Sequence, residues 1–469
     1  MKIESQKPNL KNRIKNVTLE IILSSTSHGL PNIFRSSNLY IKLMWIFFTL
    51  ISTGLLGCMV TQNIMNYFKY EVTTKTRVKT EFKSTFPTIT VCNINTFTSE
   101  HAANYIKTIE YNKFDDNPLA KSFEFMAKSY KPKNNSILYG DSLDKLLVFC
   151  EYETHRCNMS QVRYYNHPEY GDCYMINSGY DYKNNPVNLW SAMAPKRHLG
   201  LNLILNISVH DELKFLSPNY GAIVIIHNNT VNPFVQEGIT LSPKIESNIA
   251  LTKTFFSSQP KPYSDCDGKT DDPNEYNSEL FKLIHKNGGG YSQFLCLGLC
   301  FQRSIVNKCG CSVVNFPSFF EVRSCFLNED INCMNNQLNE VIESNYIMDV
   351  CYKECPLECE GMKFEKTVSF NQFSNDKWIE YMQNYDKHDS IYFNKTINSD
   401  ELAAVRIYYE TISYTNIEEK PTTMFVDLLS SIGGVAGLFL GVSVLSFVEI
   451  IECLMQIIFI MINYKKVSF

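Results

Sequence analysis

The chain has 469 residues, 44% of them hydrophobic and 20% charged, with a formal net charge of −4. That composition excludes an intrinsically disordered chain, and a charge so near neutral gives no argument for nucleic acid as a partner. The length is several times the ~100–150 residues of a typical domain, so a large core or several subdomains can be buried.

The average hides an uneven distribution along the chain. Residues 1–42 carry seven basic residues (Lys2, Lys7, Lys11, Arg13, Lys15, Arg35 and Lys42) against two acids. Between Lys42 and Lys69 lie 26 residues without one charge, and Leu428 to Val448 is a second uncharged run. Each exceeds the ~20 residues that cross a bilayer as a helix. Short flanks rich in Lys and Arg stay cytoplasmic, and the tail carries Lys465 and Lys466. Both termini are therefore expected inside and the middle outside. The expected division is a cytoplasmic N-terminus (1–42), a first span (43–68), an extracellular domain (69–427), a second span (428–462) and a cytoplasmic tail (463–469). The one earlier apolar stretch, Leu19 to Leu23, is short and contains Glu20, so the first span is expected to act as an uncleaved signal-anchor.

Cysteines and sequons point the same way. Fourteen of the 16 cysteines lie between the spans, the others being Cys58 and Cys453. An even number in an exported segment reads as a disulfide framework of up to seven bridges. Asn134, Asn158, Asn206, Asn228 and Asn394 each begin an Asn-x-Ser/Thr acceptor in the middle segment, and Asn16 begins one outside it.

The middle segment reads as mixed α and β. Strands are expected over Phe86 to Cys92, Leu201 to Ile207, Ala222 to His227 and Leu402 to Ile412, where residues are β-branched or alternate. Helices are expected over Glu279 to His285 and Asn335 to Val350. Asp265 to Asn277 and Asn287 to Gly290 are loop punctuation.

From Leu428 to Tyr464 run 37 residues interrupted by two acids, Glu449 and Glu452. That is short for a hairpin of two spans, so one long, tilted or broken helix is expected. Gly433, Gly437 and Gly441 recur at intervals of four, which suits close helix packing. Ser443, Ser446, Glu449 and Glu452 then recur at intervals of three. The stripe reads either as a packing face with two interfacial acids, or as a pore wall, since charges at membrane depth face water or a partner.

No nucleophile elbow, zinc-protease helix or phosphate loop occurs, and no cofactor or enzyme is suggested. Gly433, Gly434 and Gly437 resemble a nucleotide loop weakly, within an apolar run. Cys309 with Cys311 and Cys351 with Cys355 could bind zinc, or could be disulfides of an oxidising compartment.

Several motifs together resemble the degenerin/epithelial sodium channel/acid-sensing ion channel family. Ser27-His28-Gly29 before the first span looks like its His-Gly gating motif. Phe86-Pro-Thr-Ile-Thr-Val-Cys-Asn93 is similar to its first extracellular strand, and the segments Gly200 to Asn206 and Gly221 to His227 resemble its palm strands. Tyr291, Cys296, Cys300, Cys309 and Cys311 are spaced like its cysteine-rich thumb. The run from Gly433 to Ser443 resembles the second-span signature ending in Gly-x-Ser. The resemblance covers about residues 25 to 460.

It implies an α+β protein: two transmembrane helices flanking a disulfide-rich, hand-like extracellular domain of palm, knuckle, finger, β-ball and thumb. It implies a trimeric plasma-membrane channel, homomeric or built with homologous subunits, set in membrane lipid. Gly441, Val442 and Ser443 would form the selectivity belt, where carbonyls and a small hydroxyl replace part of a cation's hydration shell. Glu449 and Glu452 would concentrate cations at the inner mouth. Sodium ions are the implied cargo, with calcium permeation left open, and amiloride-type blockers are the implied inhibitors. Gating roles are implied for His28, Gly29, Tyr70, Tyr263 and Ser430, the two tyrosines meeting at the wrist. The implied disulfides are Cys92–Cys173, Cys150–Cys157, Cys266–Cys359, Cys296–Cys355, Cys300–Cys351, Cys309–Cys333 and Cys311–Cys325.

Some positions depart from the acid-sensing members. Tyr70-Glu71-Val72 stands where they have a His pair, and Ser431 where they have an Asp. Val442 replaces the Ala of many relatives in the belt. The chain most resembles the peptide-gated branch, whose ligands are short amidated neuropeptides ending in Arg-Phe-amide. Residues 69–427 hold 35 basic and 44 acidic residues, a net −9 that would draw a basic extracellular peptide. Proton or mechanical gating in the same family, an ATP-gated two-span channel, and a two-pass adhesion protein that conducts nothing are the alternatives.

Overall fold

The computed structural model describes residues 10–108, residues 139–373 apart from 288, 315, 318, 326 and 327, residues 377, 378 and 380, and residues 398–467. The chain divides into two compact units, residues 1–73 with 420–469 and residues 74–419.

The longer helices are α1 (Leu10–Ser24), α2 (Gly29–Arg35), α3 (Leu39–Tyr67), α4 (Glu100–Thr108), α5 (Glu279–Lys286), α6 (Gln293–Cys309), α7 (Asn328–Glu343), α8 (Phe425–Leu440) and α9 (Val444–Val467). The longer strands are β1 (Val72–Thr80), β2 (Thr88–Asn93), β3 (Leu147–Tyr152), β4 (Arg163–His167), β5 (Gly171–Ile176), β6 (Leu201–Asn206), β7 (Ala222–His227), β8 (Ile239–Leu241), β9 (Ile245–Ser257), β10 (Glu360–Gln372) and β11 (Leu402–Pro421).

In the larger unit one sheet runs in the order β10-β9-β11-β6-β3, with β1 also pairing to β11. β9 and β11 are parallel, and the neighbouring pairs are antiparallel. A second, antiparallel sheet runs β8-β7-β2-β5-β4. Alternation along each strand sends every second side chain to one face. Ile89 and Val91, Leu201, Leu203 and Leu205, Ala222, Val224 and Ile226, and Ala403, Val405 and Ile407 thereby meet in one buried core. Each large side chain buried there stabilises by roughly 1.5–3 kcal/mol relative to exposure. The opposite face of the second sheet carries the Cys92–Cys173 bridge beside Ile223 and Ile225.

A second core belongs to the helical part. Leu280, Phe281 and Ile284 of α5 pack with Leu295 and Leu299 of α6 and with Tyr291. Cys296 and Cys300 lie four apart on one helix face, and Cys351 and Cys355 likewise, so Cys296–Cys355 and Cys300–Cys351 close as adjacent antiparallel rungs. Cys309–Cys333 ties the end of α6 to α7, and Cys311–Cys325 and Cys266–Cys359 close the surrounding loops. With Cys150–Cys157 there are seven bridges, paired as the resemblance implies. The zinc reading of these cysteines is therefore set aside.

Two expectations need correction. The helix expected over Asn335 to Val350 begins seven residues earlier, at Asn328, and ends at Glu343. Asn345 takes φ 51°, and a short π-helical turn, Ile347–Cys351, follows. The strand expected to end at Ile412 runs on to Pro421, across a bulge between its two halves.

In the smaller unit α3 is, among the described residues, the one helix long and apolar enough to cross a membrane alone. The second apolar run is broken: Phe425–Leu440 and Val444–Ile460 pass the same test as a pair bent by 76°, a broken span or a re-entrant loop. α8 packs on α3, α1 on α9, and α2 on both α1 and α3.

Candidate pore and gate

The break in the second apolar run falls on the expected belt. Gly441 takes φ 70°, a left-handed conformation that suits glycine and stops α8. Its N–H donates to Gly437 O at 3.0 Å, and the Val442 N–H to Ala436 O at 3.4 Å. Ser443 precedes the restart at Val444, and its N–H donates to Ser446 Oγ at 3.0 Å. A glycine, a valine and a serine thus occupy a kink whose backbone groups are partly released from helical bonding.

The segment between α1 and α2 sits directly on this kink. The His28 N–H donates to Leu440 O at 3.2 Å, the last carbonyl of α8. The Ser27 hydroxyl donates to the same oxygen at 3.4 Å. A Cβ built on Gly441 would lie 2.6 Å from the His28 ring, so the imidazole reaches that close because residue 441 has no side chain. Gly29 repeats the device on the other side: a Cβ there would lie 2.7 Å from Thr49 Oγ1 on α3. The His-Gly pair therefore wedges between the first apolar helix and the break in the second.

Thr26 extends the contact. Its N–H donates to Glu449 Oε2 at 3.2 Å, and its hydroxyl is 2.8 Å from Ser446 Oγ. Ser446 is buried, and its Oγ joins Thr26 to the Ser443 backbone. Glu449 thus accepts from the segment between α1 and α2, whereas Glu452 is exposed and accepts from Gln456 Nε2 on its own helix at 3.1 Å. Thr26 and Thr49 were missed by reading the sequence, since lone threonines carry no spacing signal. Ser446 was visible as part of the polar stripe.

Other expected positions lie elsewhere in the smaller unit, or belong to the larger one. Ser430 is exposed on α8. Gly433 and Gly434 face open space, with no atom within 4 Å of a built Cβ among the described residues. Tyr70 follows α3 with φ 51°, its ring 6.2 Å from Tyr67 and 6.1 Å from Phe68. Where the chain leaves α3 and where it approaches α8, Thr422 N–H donates to Glu71 O at 2.9 Å. Tyr263 belongs to the larger unit, half-buried, its N–H donating to Pro260 O at 3.1 Å. Of the sequons, Asn158 is exposed and Asn206 and Asn228 are half-buried. Asn134 and Asn394 lie outside the described residues. No cluster of three metal-binding side chains occurs among the described residues.

Comparison with known proteins gives the family. The profile described as amiloride-sensitive sodium channel matches residues 22–453, from the wedge through the break. The chain belongs to the amiloride-sensitive sodium channel family. This family is one of ion channels, not of enzymes. The epithelial sodium channel gamma subunit of Neoceratodus forsteri is 27% identical over 341 residues, 71% of this chain and 49% of its own. The human alpha subunit is 27% identical over 339 residues, 70% of this chain and 47% of its own. Human acid-sensing ion channel 2 is 26% identical over 468 residues, 93% of this chain and 85% of its own. The chain therefore spans about half the length of the epithelial family members and most of the acid-sensing one. A solved proton-activated chloride channel covers 90% of this chain at 7% identity and a TM-score of 0.31, too slight a likeness to carry an argument.

Proposed function

We propose that the chain is a subunit of an amiloride-sensitive sodium channel of the plasma membrane, with two spans and both termini cytoplasmic, opened by extracellular neuropeptides. The observation that carries the reading is the seating of His28 on Gly441 at the break of the second apolar run. A kink lined by Gly441, Val442 and Ser443 offers carbonyls and a hydroxyl to a partly dehydrated cation. A trimer would set three copies around one axis, with homologous subunits admitted as partners. The bulkier Val442 bears on whether calcium also permeates.

Peptide opening is favoured over proton opening by the residues at the two acid-sensing positions, Tyr70-Glu71-Val72 and Ser431. The net −9 of residues 69–427 would raise the local concentration of a basic peptide. The test is whole-cell recording from cells expressing the chain, alone and with homologous subunits, during exposure to amidated Arg-Phe peptides, acid or ATP. Inward sodium current evoked by peptide and blocked by amiloride is expected. Current evoked by acid or ATP alone overturns the peptide assignment, and no amiloride-sensitive current under any condition overturns the channel reading.

A further inference from the structure

Lys253 lies within β9 with its side chain only 7% exposed, a rare place for an ammonium. Nζ donates to Glu81 Oε2 at 2.6 Å and to Ser84 Oγ at 2.9 Å. It also lies 5.5 Å from the ring centre of Phe255 and 5.7 Å from that of Tyr414, which pack edge to face. Two of its three donors thus bond a carboxylate and a hydroxyl, and the charge lies beside two aromatic rings. Burial pushes the Glu81 carboxyl up, but hydrogen bonds from Lys253 and Ser84 and the ammonium charge outweigh it and hold it below the ordinary value.

The pair sits where the large sheet changes partners. Leu251 of β9 faces Tyr409 of β11, yet Lys253 faces Tyr414, so Glu410 to Ser413 bulge out of register. Before the bulge β11 pairs with β6. The bulge itself receives the Glu81 N–H at Ile412 O, 3.1 Å, one residue beyond the end of β1. β1 therefore joins the sheet at its irregular point, with eight of its nine residues exposed. Apolar residues at both position 81 and position 253 would serve stability as well as a buried ion pair does. What an ion pair adds is a contact that is either made or broken, and breaking one partner is costly.

We infer that Lys253 and Glu81 are positioning residues forming a latch that holds β1, the strand continuous with the first span, against β9 and β11. Its release frees β1 while β3 and β6 stay paired, and in the channel proposed above, on which this last step rests, release favours opening.

Hydrogen exchange on the full-length protein in detergent micelles, combined with recording at matched surface density, tests the latch. Glu81→Gln and Lys253→Met should each speed exchange of the Val72–Thr80 amides about tenfold or more, with β3 and β6 unchanged. Both should raise resting amiloride-sensitive current several-fold. Lys253→Arg and the exchanged pair Glu81→Lys with Lys253→Glu should restore both readings. Unchanged exchange in β1, or equal loosening across the whole sheet, overturns the latch. Loosened β1 with wild-type resting current overturns its part in gating. A wild-type chain that conducts under no condition refutes the channel reading itself, and the exchange measurement then decides the latch alone.

Discussion

Residue 441 is constrained twice. Its φ of 70° favours glycine, and the His28 ring occupies the space a methyl group would need. Alanine in the left-handed region costs roughly 1–2 kcal/mol, and the ring must also move. Gly441→Ala should therefore lower current density several-fold, and His28→Ala in the same chain should recover part of the loss. A double variant whose loss is the sum of those of Gly441→Ala and His28→Ala alone would show that the two residues act independently. A different residue sets a pH dependence. Burial pushes the His227 imidazole down to about 4, while its Nδ1–H donates to Asn228 O at 2.9 Å and its Nε2 accepts from Thr90. The unfolded chain takes up that proton near pH ~6.5 and the folded chain only near 4. The contribution of this residue to stability is thus lost as pH falls from about 6.5 to about 4 and is flat outside that window, on the order of 3 kcal/mol at most. Thermal unfolding of the purified protein should show a shallower decline across this window for His227→Gln. An unchanged slope would mean that other groups carry it.

At the scale of elements, the paired rungs Cys296–Cys355 and Cys300–Cys351 hold α6 against the turn that follows α7. Replacing Cys300 and Cys351 together by serine should cost about 2–4 kcal/mol and lower the unfolding midpoint. A midpoint within a degree of wild type would mean that the first rung alone suffices. Much of this architecture is legible in the sequence, because core strands such as Ala222–His227 are continuous apolar runs and α5 has helical spacing. The start of α7 was not. Asn328, Glu329 and Asp330 carry no apolar period; they suit a helix N-terminus through charge, since acids there complement the helix dipole. Nor was the lower half of β11, whose residues from Ser413 onward are half-exposed and alternate weakly. The disulfide pairing is not contained in spacing at all, and was expected only from the resemblance. The wedge was half legible: His28 and Gly29 stood out, whereas their seat on Leu440, Gly441 and Thr49 is a matter of tertiary contact.

Along the whole chain, the two apolar runs bracket a disulfide-rich segment, and the family match covers the first run, that segment and the second run as far as residue 453. In the proposed channel the break at Gly441 to Ser443 is the narrow part of the cation pathway. The most direct measurement is the sodium-to-potassium permeability ratio, from reversal potentials of amiloride-sensitive current, in wild type and Ser443→Cys at equal surface density. Ser443 is the preferred position because it is exposed and its backbone is not held in the left-handed region that restricts Gly441. A ratio that falls at least twofold in Ser443→Cys, with current retained, is the predicted result. An unchanged ratio in channels that reach the surface and conduct normally would contradict the account and place the selective segment elsewhere.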